Sequence, residues 1–553
     1  MGRIVRMAAA VMLLLCFAVP VRGLEPESPF WSGKRVMVLV PHQDDELNLA
    51  GGILEQYVQA GSQVWLVYAT NGDYNGLAQI RSREVLAMAA ELGIPAENVI
   101  YLGYGNQWQP QGEQTHLYFS DDGGTLWTSH FGATETYGTD AVGVWRESTY
   151  TRDHFLADLT DVILTLRPDV IYCNDYDAHH DHMALDLFFE EAMGRILAAE
   201  PDYRPRVYKG FCYGTAWYAP ADFAGAENIR SSLHPVWEHW DRLGIGYDWE
   251  SRVRLPLSGA NLSRMLSQTQ LYRSVRLFQS QNGHRFAESM LNGDKVFFER
   301  RTDSLLYRAE LTAGGQIVTV WNDFKLKDSR NFSALVNTGV HFAETITVTL
   351  PEPQVMDSLW LYDNPEPEDN ILAGYLEFED GTQVAFRPLN PGGAATKIAF
   401  PARSVGRFRL HLTETEGDTP GLTEIEAYLG DGSGEARILM AVDEQGDFVY
   451  DYWMPRSGTA VFDLYAYPAG SLSGWADADI AMEGDAVWSL EAGKLRIRCP
   501  TGAQAAFTVT GPGGVSTTFT VSNPPALIRK LTLLLQKNDR DMVLAIDEWL
   551  CRS

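Results

Sequence analysis

Two clusters of ionisable side chains each follow an apolar run of the chain. The first, PHQDDE, comes directly after RVMVLV and contains His42, Asp44 and Asp45. The second, DYDAHHDH, follows DVIYCN and contains His179 and His182. Both apolar runs have the length and the β-branched content of strands. Because so many charged groups are costly to bury without partners, each cluster either faces water or holds a cation.

The spacing of these residues predicts a catalytic zinc site. His42 and Asp45 lie three positions apart where a strand turns into a helix. His182, from the second cluster, would complete a set of three protein ligands and leave the fourth position of the ion for water. Asp44, beside this set, is the predicted general base for that water. His179, one turn before His182, is predicted to donate to an oxyanion or to protonate a leaving amine.

Other interpretations of the clusters stay open. PHQDDE alone is equally typical of a solvated turn, since acids favour the N-terminus of a helix. His180 competes with its neighbours as a ligand, and another divalent metal is an alternative to zinc. The occurrence of both clusters at equivalent places after two strands favours the metal site.

An alternating pattern of elements would position the two clusters. Buried strands are predicted at 35–40, 64–70, 98–104 and 169–174, and helices are predicted between them, the first over 47–61. Repeated strand and helix units indicate an open, Rossmann-like α/β sheet with right-handed crossovers. In such sheets the ligand lies beyond the carboxyl ends of the strands, where both clusters fall.

The order of these motifs resembles the PIG-L/LmbE family of zinc-dependent N-deacetylases. The matching pieces are H-x-D-D-E at 42–46, T-x-G at 70–72, R-x-x-E at 81–84 and H-x-D-H at 179–182. The resemblance covers about residues 35–290 and implies removal of acetyl groups from N-acetylated amino sugars. It also implies that His42, Asp45 and His182 are the zinc ligands.

The resemblance also implies roles for residues around the ligands. Asp44 would be the base and His179 the oxyanion or acid group. Arg81 would lie near the polar part of the substrate, or would simply be a solvated or ion-paired arginine. Asp181 would orient a histidine from outside the ligand set. His284, in SQNGH, is a predicted pocket residue.

The chain departs from the family pattern at two positions. Gln43 and His180 stand where the family usually has proline. Because neither is a predicted ligand, these departures affect the expected stiffness of the loops rather than metal binding.

The second half of the chain has the pattern of β domains. Short alternating runs separated by turn residues predict a discoidin-like β-sandwich over 300–430 and an immunoglobulin-like β domain over 431–523, after a deacetylase domain over 24–299. Residues 524–553 predict a tail of one or two amphipathic helices. The β domains are expected either to attach the protein to a glycan or cell surface or to serve as spacers.

The N-terminus and the composition bear on where the protein acts. Residues 1–23 have the basic, apolar and small-residue layout of a signal peptide, which predicts a secreted or cell-surface protein, with an uncleaved anchor as the alternative. The net charge of -28 argues against nucleic acid as a partner. Four cysteines beyond that segment, Cys173, Cys212, Cys499 and Cys551, are too few for a disulfide framework.

The sequence therefore supports two hypotheses about function. The first is a secreted metal-dependent hydrolase that removes acetyl groups from GlcNAc-type glycans. The second is a non-catalytic glycan-binding surface protein whose α/β domain is stabilised by a metal. The intact set of base and ligands favours the first, because a pure binder has no need of a free acid beside the metal.

Overall fold

The computed structural model describes most of the chain after the predicted signal peptide. The described residues are 29–106, 117–119, 123–177, 179–212, 225–232, 246–283, 292–327, 340–430, 432, 437–468 and 474–552. The signal segment 1–23 and the predicted pocket residue His284 lie outside them.

The N-terminal unit is built on a seven-stranded, mostly parallel sheet. Its strands are β1 (Arg35–Val40), β2 (Gln63–Thr70), β3 (Val99–Tyr104), β4 (Val170–Asn174), β5 (Arg206–Gly210), β6 (Val253–Pro256) and β7 (Asp294–Arg300). They lie in the order β3-β2-β1-β4-β5-β7-β6; the first five are parallel, and β7 runs antiparallel to both of its neighbours, β5 and β6. The predicted α/β fold is confirmed, and the ends of the four predicted strands differ from those observed by at most one residue.

Helices and loops cover both faces of this sheet. The helices are α1 (Asp45–Ala50), α2 (Leu54–Gln59), α3 (Ala78–Leu92), α4 (Arg152–Leu166), α5 (His180–Ala199) and α6 (Gln270–Val275). In β1, Val36, Val38 and Val40 belong to the apolar core on one face, and Met37 and Leu39 belong to the core on the other. Because successive side chains of a strand point to opposite faces, a strand buried on both has this continuous apolar sequence.

The helix predicted over 47–61 is wrong in one respect, since it is broken into α1 and α2. The break falls at Gly51 and Gly52, and Gly52 has a φ of 92°. A Cβ on Gly51 would lie 2.7 Å from a methyl carbon of Leu271, and one on Gly52 would lie 2.9 Å from a methyl carbon of Leu257. A Cβ on Gly51 would also lie 2.5 Å from the backbone oxygen of Leu47, and the positive φ of Gly52 favours glycine, so the helix is interrupted at these two glycines.

A second, antiparallel β unit follows. Its strands are β8 (Glu310–Ala313), β9 (Gln316–Ile317), β10 (Thr345–Asp363), β11 (Asn370–Phe378), β12 (Gln383–Phe386), β13 (Thr396–Glu416) and β14 (Leu422–Tyr428). They lie in the order β12-β11-β13-β10-β8-β9, and β14 also pairs with β10. The long strands β10 and β13 contain register shifts, where a strand can bend.

The third unit consists of two four-stranded sheets. Its strands are β15 (Ile438–Asp443), β16 (Asp451–Trp453), β17 (Thr459–Tyr467), β18 (Asp479–Gly484), β19 (Val487–Glu491), β20 (Lys494–Arg498), β21 (Gln504–Thr510) and β22 (Ser516–Ser522). The sheets have the orders β15-β17-β20-β19 and β16-β22-β21-β18. Phe462 and Ile497 of one sheet share a core with Phe507 and Phe519 of the other, as expected for a sandwich.

The tail forms a single helix, α7 (Ala526–Arg552). None of the helices in the described part of the chain has both the length and the apolar character needed to cross a membrane.

The third unit and α7 pack directly on the α/β unit. Met440, Phe448 and Tyr450 of the third unit belong to the same apolar core as Val38, and Val543 of α7 joins it. The Tyr467 hydroxyl also lies 3.1 Å from that of Tyr208. The third unit is therefore in extensive contact with the α/β unit, rather than held away from it as expected of a spacer.

Candidate metal centre

The fold brings the two clusters to one edge of the sheet. β1 and β4 are neighbours and run parallel, so their carboxyl ends meet. His42 follows β1, and Asp45 begins α1. His182 lies in the first turn of α5, and His179 is the residue that caps this helix. The predicted ligands thus converge from two strand ends.

Three side-chain atoms of this edge form a nearly equilateral triangle. His42 Nδ1 lies 3.1 Å from Asp45 Oδ2 and 3.2 Å from His182 Nε2, and the distance between His182 Nε2 and Asp45 Oδ2 is 3.1 Å. All three side chains are buried. Ligands about 2.0–2.1 Å from a tetrahedral zinc ion are about 3.3 Å apart, so the triangle has the dimensions of one face of such a site.

Each of the two histidines has a carboxylate on its other ring nitrogen. Asp181 Oδ2 lies 3.1 Å from His42 Nε2, and Asp177 Oδ2 lies 2.9 Å from His182 Nδ1. A carboxylate there accepts the ring proton, which leaves the lone pair of the inner nitrogen pointing at the triangle. Asp181 was predicted to orient a histidine, and it lies in a position to orient His42. Asp177, which holds His182 in the same way, was not predicted.

The electrostatics of the triangle favour a bound cation. Burial alone would lower the pKa values of His42 and His182, but hydrogen bonds and charges from the neighbouring aspartates outweigh it and raise both. Burial would raise the pKa of Asp45, but the two histidines outweigh it and lower the value. A metal ion can replace the protons that this surplus of carboxylates attracts. The residues therefore fit a zinc ion.

Asp44 lies beside the triangle in an unusual conformation. Its φ is 116°, a left-handed value that residues with a Cβ rarely adopt, and its backbone N–H donates to Glu46 Oε2 at 2.9 Å. Burial, followed by the negative charge of Asp45, raises the pKa of Asp44 to about 7. Burial also raises the pKa of Glu46 to about 8. Backbone strain of this kind is common at functional sites.

His179 stands over the other two histidine rings. Its ring centroid lies 4.8 Å from that of His42 and 5.1 Å from that of His182. Nitrogen atoms of the three rings lie within 4.8 Å of one another, so they form an alternative group of ligands. However, His179 Nδ1 accepts the backbone N–H of Asp181 at 3.2 Å, and burial lowers the pKa of His179 to about 4. A neutral His179 therefore carries its proton on Nε2. With that proton, Nε2 can donate a hydrogen bond but cannot bind a metal ion. His180, the competing ligand, is exposed.

A buried cysteine lies close to the triangle and was not predicted. Cys212, just after β5, belongs to a group with Asp45 and His182 whose ligand atoms lie within 4.8 Å of one another. Its backbone N–H donates to Asp177 Oδ2 at 3.1 Å. Burial, followed by the charge of Asp45, raises the pKa of the thiol well above its usual value. In the described part of the chain, Cys173, Cys212 and Cys499 are free thiols.

The residues around the centre hold the PHQDDE loop. Gln43 is buried, and its side-chain amide donates to the Thr70 carbonyl oxygen at 3.0 Å. A Cβ on Gly72 would lie 2.1 Å from the Gln43 side-chain oxygen, so glycine is required there. Gln281, which was not predicted, donates to the Gln43 carbonyl oxygen at 2.8 Å. Gln43 thus makes specific contacts where the family usually has proline.

The R-x-x-E motif lies next to the same loop. Arg81 is half-buried, and its positive charge acts on Asp44 to lower the pKa that burial raises. Glu84 accepts hydrogen bonds from the backbone and hydroxyl of Ser280, at 2.7 and 2.6 Å. The motif therefore links the metal centre to the SQNGH segment.

Two family models match parts of the chain. Residues 37–193 match the PIG-L family, described as GlcNAc-PI de-N-acetylase, and residues 335–428 match DUF7402, a domain of unknown function. A probable N-acetylglucosaminyl-phosphatidylinositol de-N-acetylase of Dictyostelium discoideum is 31% identical over 68 residues, which is 12% of this chain and 26% of that protein. The chain thus matches about a quarter of the length of this curated relative.

Solved structures are similar to separate parts of the chain. The N,N'-diacetylchitobiose deacetylase of Pyrococcus horikoshii has 19% identity and a TM-score of 0.23, over 35% of this chain and 66% of its own. A family 32 carbohydrate-binding module of Streptococcus pneumoniae EndoD has 14% identity and a TM-score of 0.14, over 16% of this chain and 69% of its own.

The family match spans the strands and helices that hold the metal centre. It begins within β1, four residues before the cluster PHQDDE, and ends within α5, after His182. Residues 37–193, called the PIG-L domain because of this match, therefore contain the candidate metal centre.

Proposed function

We propose that this protein removes acetyl groups from N-acetylated amino sugars with a zinc ion held by His42, Asp45 and His182. The observation that carries the proposal is the triangle of ligand atoms 3.1–3.2 Å apart, with carboxylates behind both histidines. The description of the matched family and the name of the Dictyostelium relative, both de-N-acetylases, support this class of reaction.

The protein's own side chains account for the movement of protons. A bound zinc ion would act as a Lewis acid and lower the pKa of a water molecule. Asp44, beside these residues, is placed to accept a proton from the attacking water molecule as the oxygen of that water bonds to the amide carbon. Its buried position suits this role, because burial favours the protonated carboxyl group.

His179 acts on the other side of the reacting amide. Its Nδ1 accepts the backbone N–H of Asp181, so its proton lies on Nε2, from which it would donate to the carbonyl oxygen as negative charge develops there. As the carbon–nitrogen bond breaks, Asp44 returns its proton to the nitrogen. The products are acetic acid, which loses its proton to solvent to become acetate, and the free amine of the sugar, so atoms and charge balance.

Two parts of the proposal concern the setting of the enzyme. Residues 1–23 support secretion, which fractionation of cells that produce the full chain would test. The β units support attachment to a glycan or cell surface. Binding of the full chain to immobilised GlcNAc-type polymers would test this, and no retention would contradict it.

The decisive experiment measures amine release and metal content together. The full chain should release amine from chitin-like, peptidoglycan-like or mucin-type N-acetylated oligosaccharides, and a chelator should stop the release until zinc is restored. Stoichiometric zinc without amine release from any of them would instead support the non-catalytic glycan-binding hypothesis. Amine release that is insensitive to chelation would overturn the assigned metal role.

A further inference from the structure

A segment of the second unit, Trp321–Lys327, reaches into the PIG-L domain. Its first end is anchored in the β unit, because Trp321 lies in the core of that unit and its carbonyl oxygen accepts the Ile425 N–H at 2.7 Å. The Phe324 N–H also donates to Glu424 Oε1 at 3.2 Å. Both Ile425 and Glu424 belong to β14. The segment therefore moves with the β unit.

The other end of the segment lies against α5, the helix that begins next to the metal centre. The Leu326 N–H donates to Glu190 Oε2 at 2.9 Å. A Cβ on Gly194 would lie 1.9 Å from the Asp323 carbonyl oxygen, so the segment lies directly on the helix backbone. Phe324 has a φ of 71° and packs in the core of the α/β unit. Such a conformation persists only where surrounding contacts fix it.

Lys327, at the end of the segment, forms an ion pair next to the loop that leads to the metal centre. Its ammonium group donates to Asp175 Oδ1, and the two side chains are 4% and 0% exposed. Asp175 directly follows β4. A carboxylate this deeply buried requires a cation, because an unpaired charge in the interior strongly destabilises the folded state.

Asp175 is connected to the metal centre by sequence and by hydrogen bonds. Asp177, two residues later, holds the outer nitrogen of His182 at 2.9 Å. The Asn174 side-chain amide donates to the carbonyl oxygens of both Asp175 and His182, at 3.1 and 2.9 Å. A shift of Asp175 would therefore be transmitted to the ligand His182 and to the carboxylate that orients it.

We propose that Lys327 is a positioning residue for the metal centre, supplied by the β unit that follows the PIG-L domain. By pairing with Asp175 it fixes the chain from Asn174 to His182 in the geometry that binds the ion. The PIG-L domain of this protein is thus completed by a side chain from outside the matched region. The inference rests on the proposed metal site, but it does not depend on which substrate the enzyme uses.

The test compares the zinc affinity of full-length variants by competition with a chelator. Lys327→Met should weaken zinc binding about 5- to 10-fold, somewhat less than the roughly 10- to 100-fold typical of residues that contact a ligand directly. Arg254→Met is the matched control, because Arg254 also forms a buried ion pair, at 2.6 Å to Asp294, and donates to Gly446 of another unit. β6, which carries Arg254, is separated from β4 by two strands. The control should lower the thermal midpoint and leave zinc affinity within twofold of the wild type.

A double variant separates positioning from the burial of charge. Asp175→Asn with Lys327→Met leaves no unpaired charge and should recover the lost stability, yet remain at least about fivefold weaker for zinc, because the loop is no longer anchored. This variant also decides the matter if Lys327→Met alone fails to fold. Wild-type zinc affinity in the folded double variant would overturn the inference. Failure of the wild type itself to bind zinc would instead overturn the proposed function.

Discussion

At the scale of single residues, Asp44 combines a strained backbone with a buried acid. Its φ of 116° suits glycine, and its carboxyl pKa is raised to about 7, chiefly by burial. Both features lower the stability of the fold. Their presence at one residue beside the metal ligands is best explained by a chemical requirement for a carboxylate at this point.

Replacing Asp44 should therefore stabilise the protein while removing activity. Asp44→Gly relieves the backbone strain and removes the buried acid, so we expect the free energy of unfolding to rise by about 1–2 kcal/mol. Amine release should fall by about 10²- to 10⁴-fold, the usual contribution of a general base. Urea unfolding and steady-state kinetics on the same preparation measure the two effects.

Asp44→Asn serves as the control for the backbone. It keeps the strain and the side-chain volume, so it should lose activity like Asp44→Gly but gain less stability. Full activity of the asparagine variant with zinc bound would show that the base has been wrongly identified.

Asp177 should affect the metal rather than the chemistry. Its carboxylate holds the outer nitrogen of His182 and also accepts the backbone N–H of Cys212. Asp177→Asn keeps a hydrogen-bonding group but loses the charge that makes the histidine a better ligand. Zinc affinity should fall about 10- to 100-fold, as measured by chelator competition.

Activity at saturating zinc provides the contrast for Asp177. With the metal site filled, Asp177→Asn should recover most of the wild-type rate, because Asp177 touches no reacting atom. A rate that stays low with the metal site filled would contradict this role and point to a direct one in catalysis.

The residues of the centre differ in how far the sequence could reveal them. His42, Asp45 and His182 could be predicted as neighbours, because they follow two strands that are adjacent in any sheet of this kind. Asp177 could not be singled out, because its role depends on which ring nitrogen of His182 faces inward. Cys212 comes from a third strand end, and nothing in its local sequence indicates a metal.

At the scale of elements, β7 buries a lysine that has no carboxylate in direct contact among the described residues. Lys295 is 1% exposed, and its ammonium group donates to the Asn48 carbonyl oxygen at 3.3 Å. Burial lowers its pKa from 10.5 to about 8. A charged lysine is therefore held in this strand at a cost to stability at neutral pH.

Lys295→Met should raise stability in a way that depends on pH. Between about pH 8 and 10.5 the folded state binds fewer protons than the unfolded state, so the wild-type free energy of unfolding contains a contribution that rises with pH. The variant lacks this contribution. We expect it to be more stable than wild type by about 1–3 kcal/mol at pH 7, with the difference shrinking towards pH 10.5.

An exposed lysine supplies the comparison. Lys494, paired with Asp463 at 2.9 Å, has a side chain that is 53% exposed. Lys494→Met should therefore change stability little at any pH in urea unfolding. A pH-independent effect of Lys295→Met would mean that the lysine is neutral at pH 7 or that its charge is compensated.

The strands and helices could be predicted wherever the residues that determine them are close together in the sequence. Strands buried on both faces have continuous apolar sequences, and the four predicted ones lie within one residue of their observed ends. The break between α1 and α2 was not predicted, although Gly51 and Gly52 mark it; the residues that pack close to these glycines, Leu257 and Leu271, lie about 200 residues later in the chain. The single helix of the tail was one of two expected arrangements.

At the scale of the whole molecule, the α/β unit, the third unit and α7 share one apolar core. The core of the α/β unit contains Met440, Phe448 and Tyr450 of the third unit and Val543 of α7. The Leu257 N–H also donates to the Tyr450 hydroxyl at 3.0 Å. Burying a large apolar side chain stabilises a fold by about 1.5–3 kcal/mol, so these residues together contribute an amount comparable to the whole stability of a domain.

Removing the third unit together with α7 should therefore unfold the α/β unit. A fragment ending at residue 430 would expose the apolar surface that these residues cover, and we expect it to be insoluble or to lose its cooperative thermal transition. Solubility, circular dichroism and limited proteolysis measure this outcome.

A divided chain tests the same contacts without removing them. Fragments 1–430 and 437–553, produced together, should associate and copurify, because the interface rather than the peptide connection holds them. A soluble 1–430 fragment with the thermal midpoint of the full chain would contradict the shared core.

The sequence could indicate the order and class of the units but not their contacts. Turn residues and strand patterns separate one unit from the next along the chain. Nothing local to Tyr450, Tyr467 or Lys327 reveals that each lies against a residue of the first unit. Such contacts depend on how the surfaces of two folded units fit together. The pattern of apolar and polar residues along the chain does not show this.

The segment Trp321–Lys327 has a consequence for engineering and for evolution by domain exchange. An α/β unit cut out at its predicted boundaries, 24–299, and fused to a different carbohydrate-binding module would leave Asp175 without Lys327 and the backbone of Gly194 uncovered. A working chimera would have to carry residues 321–327 as part of the transplanted unit. The structural boundary of the α/β unit therefore lies inside the neighbouring β unit, and recombination at the apparent linkers would be selected against.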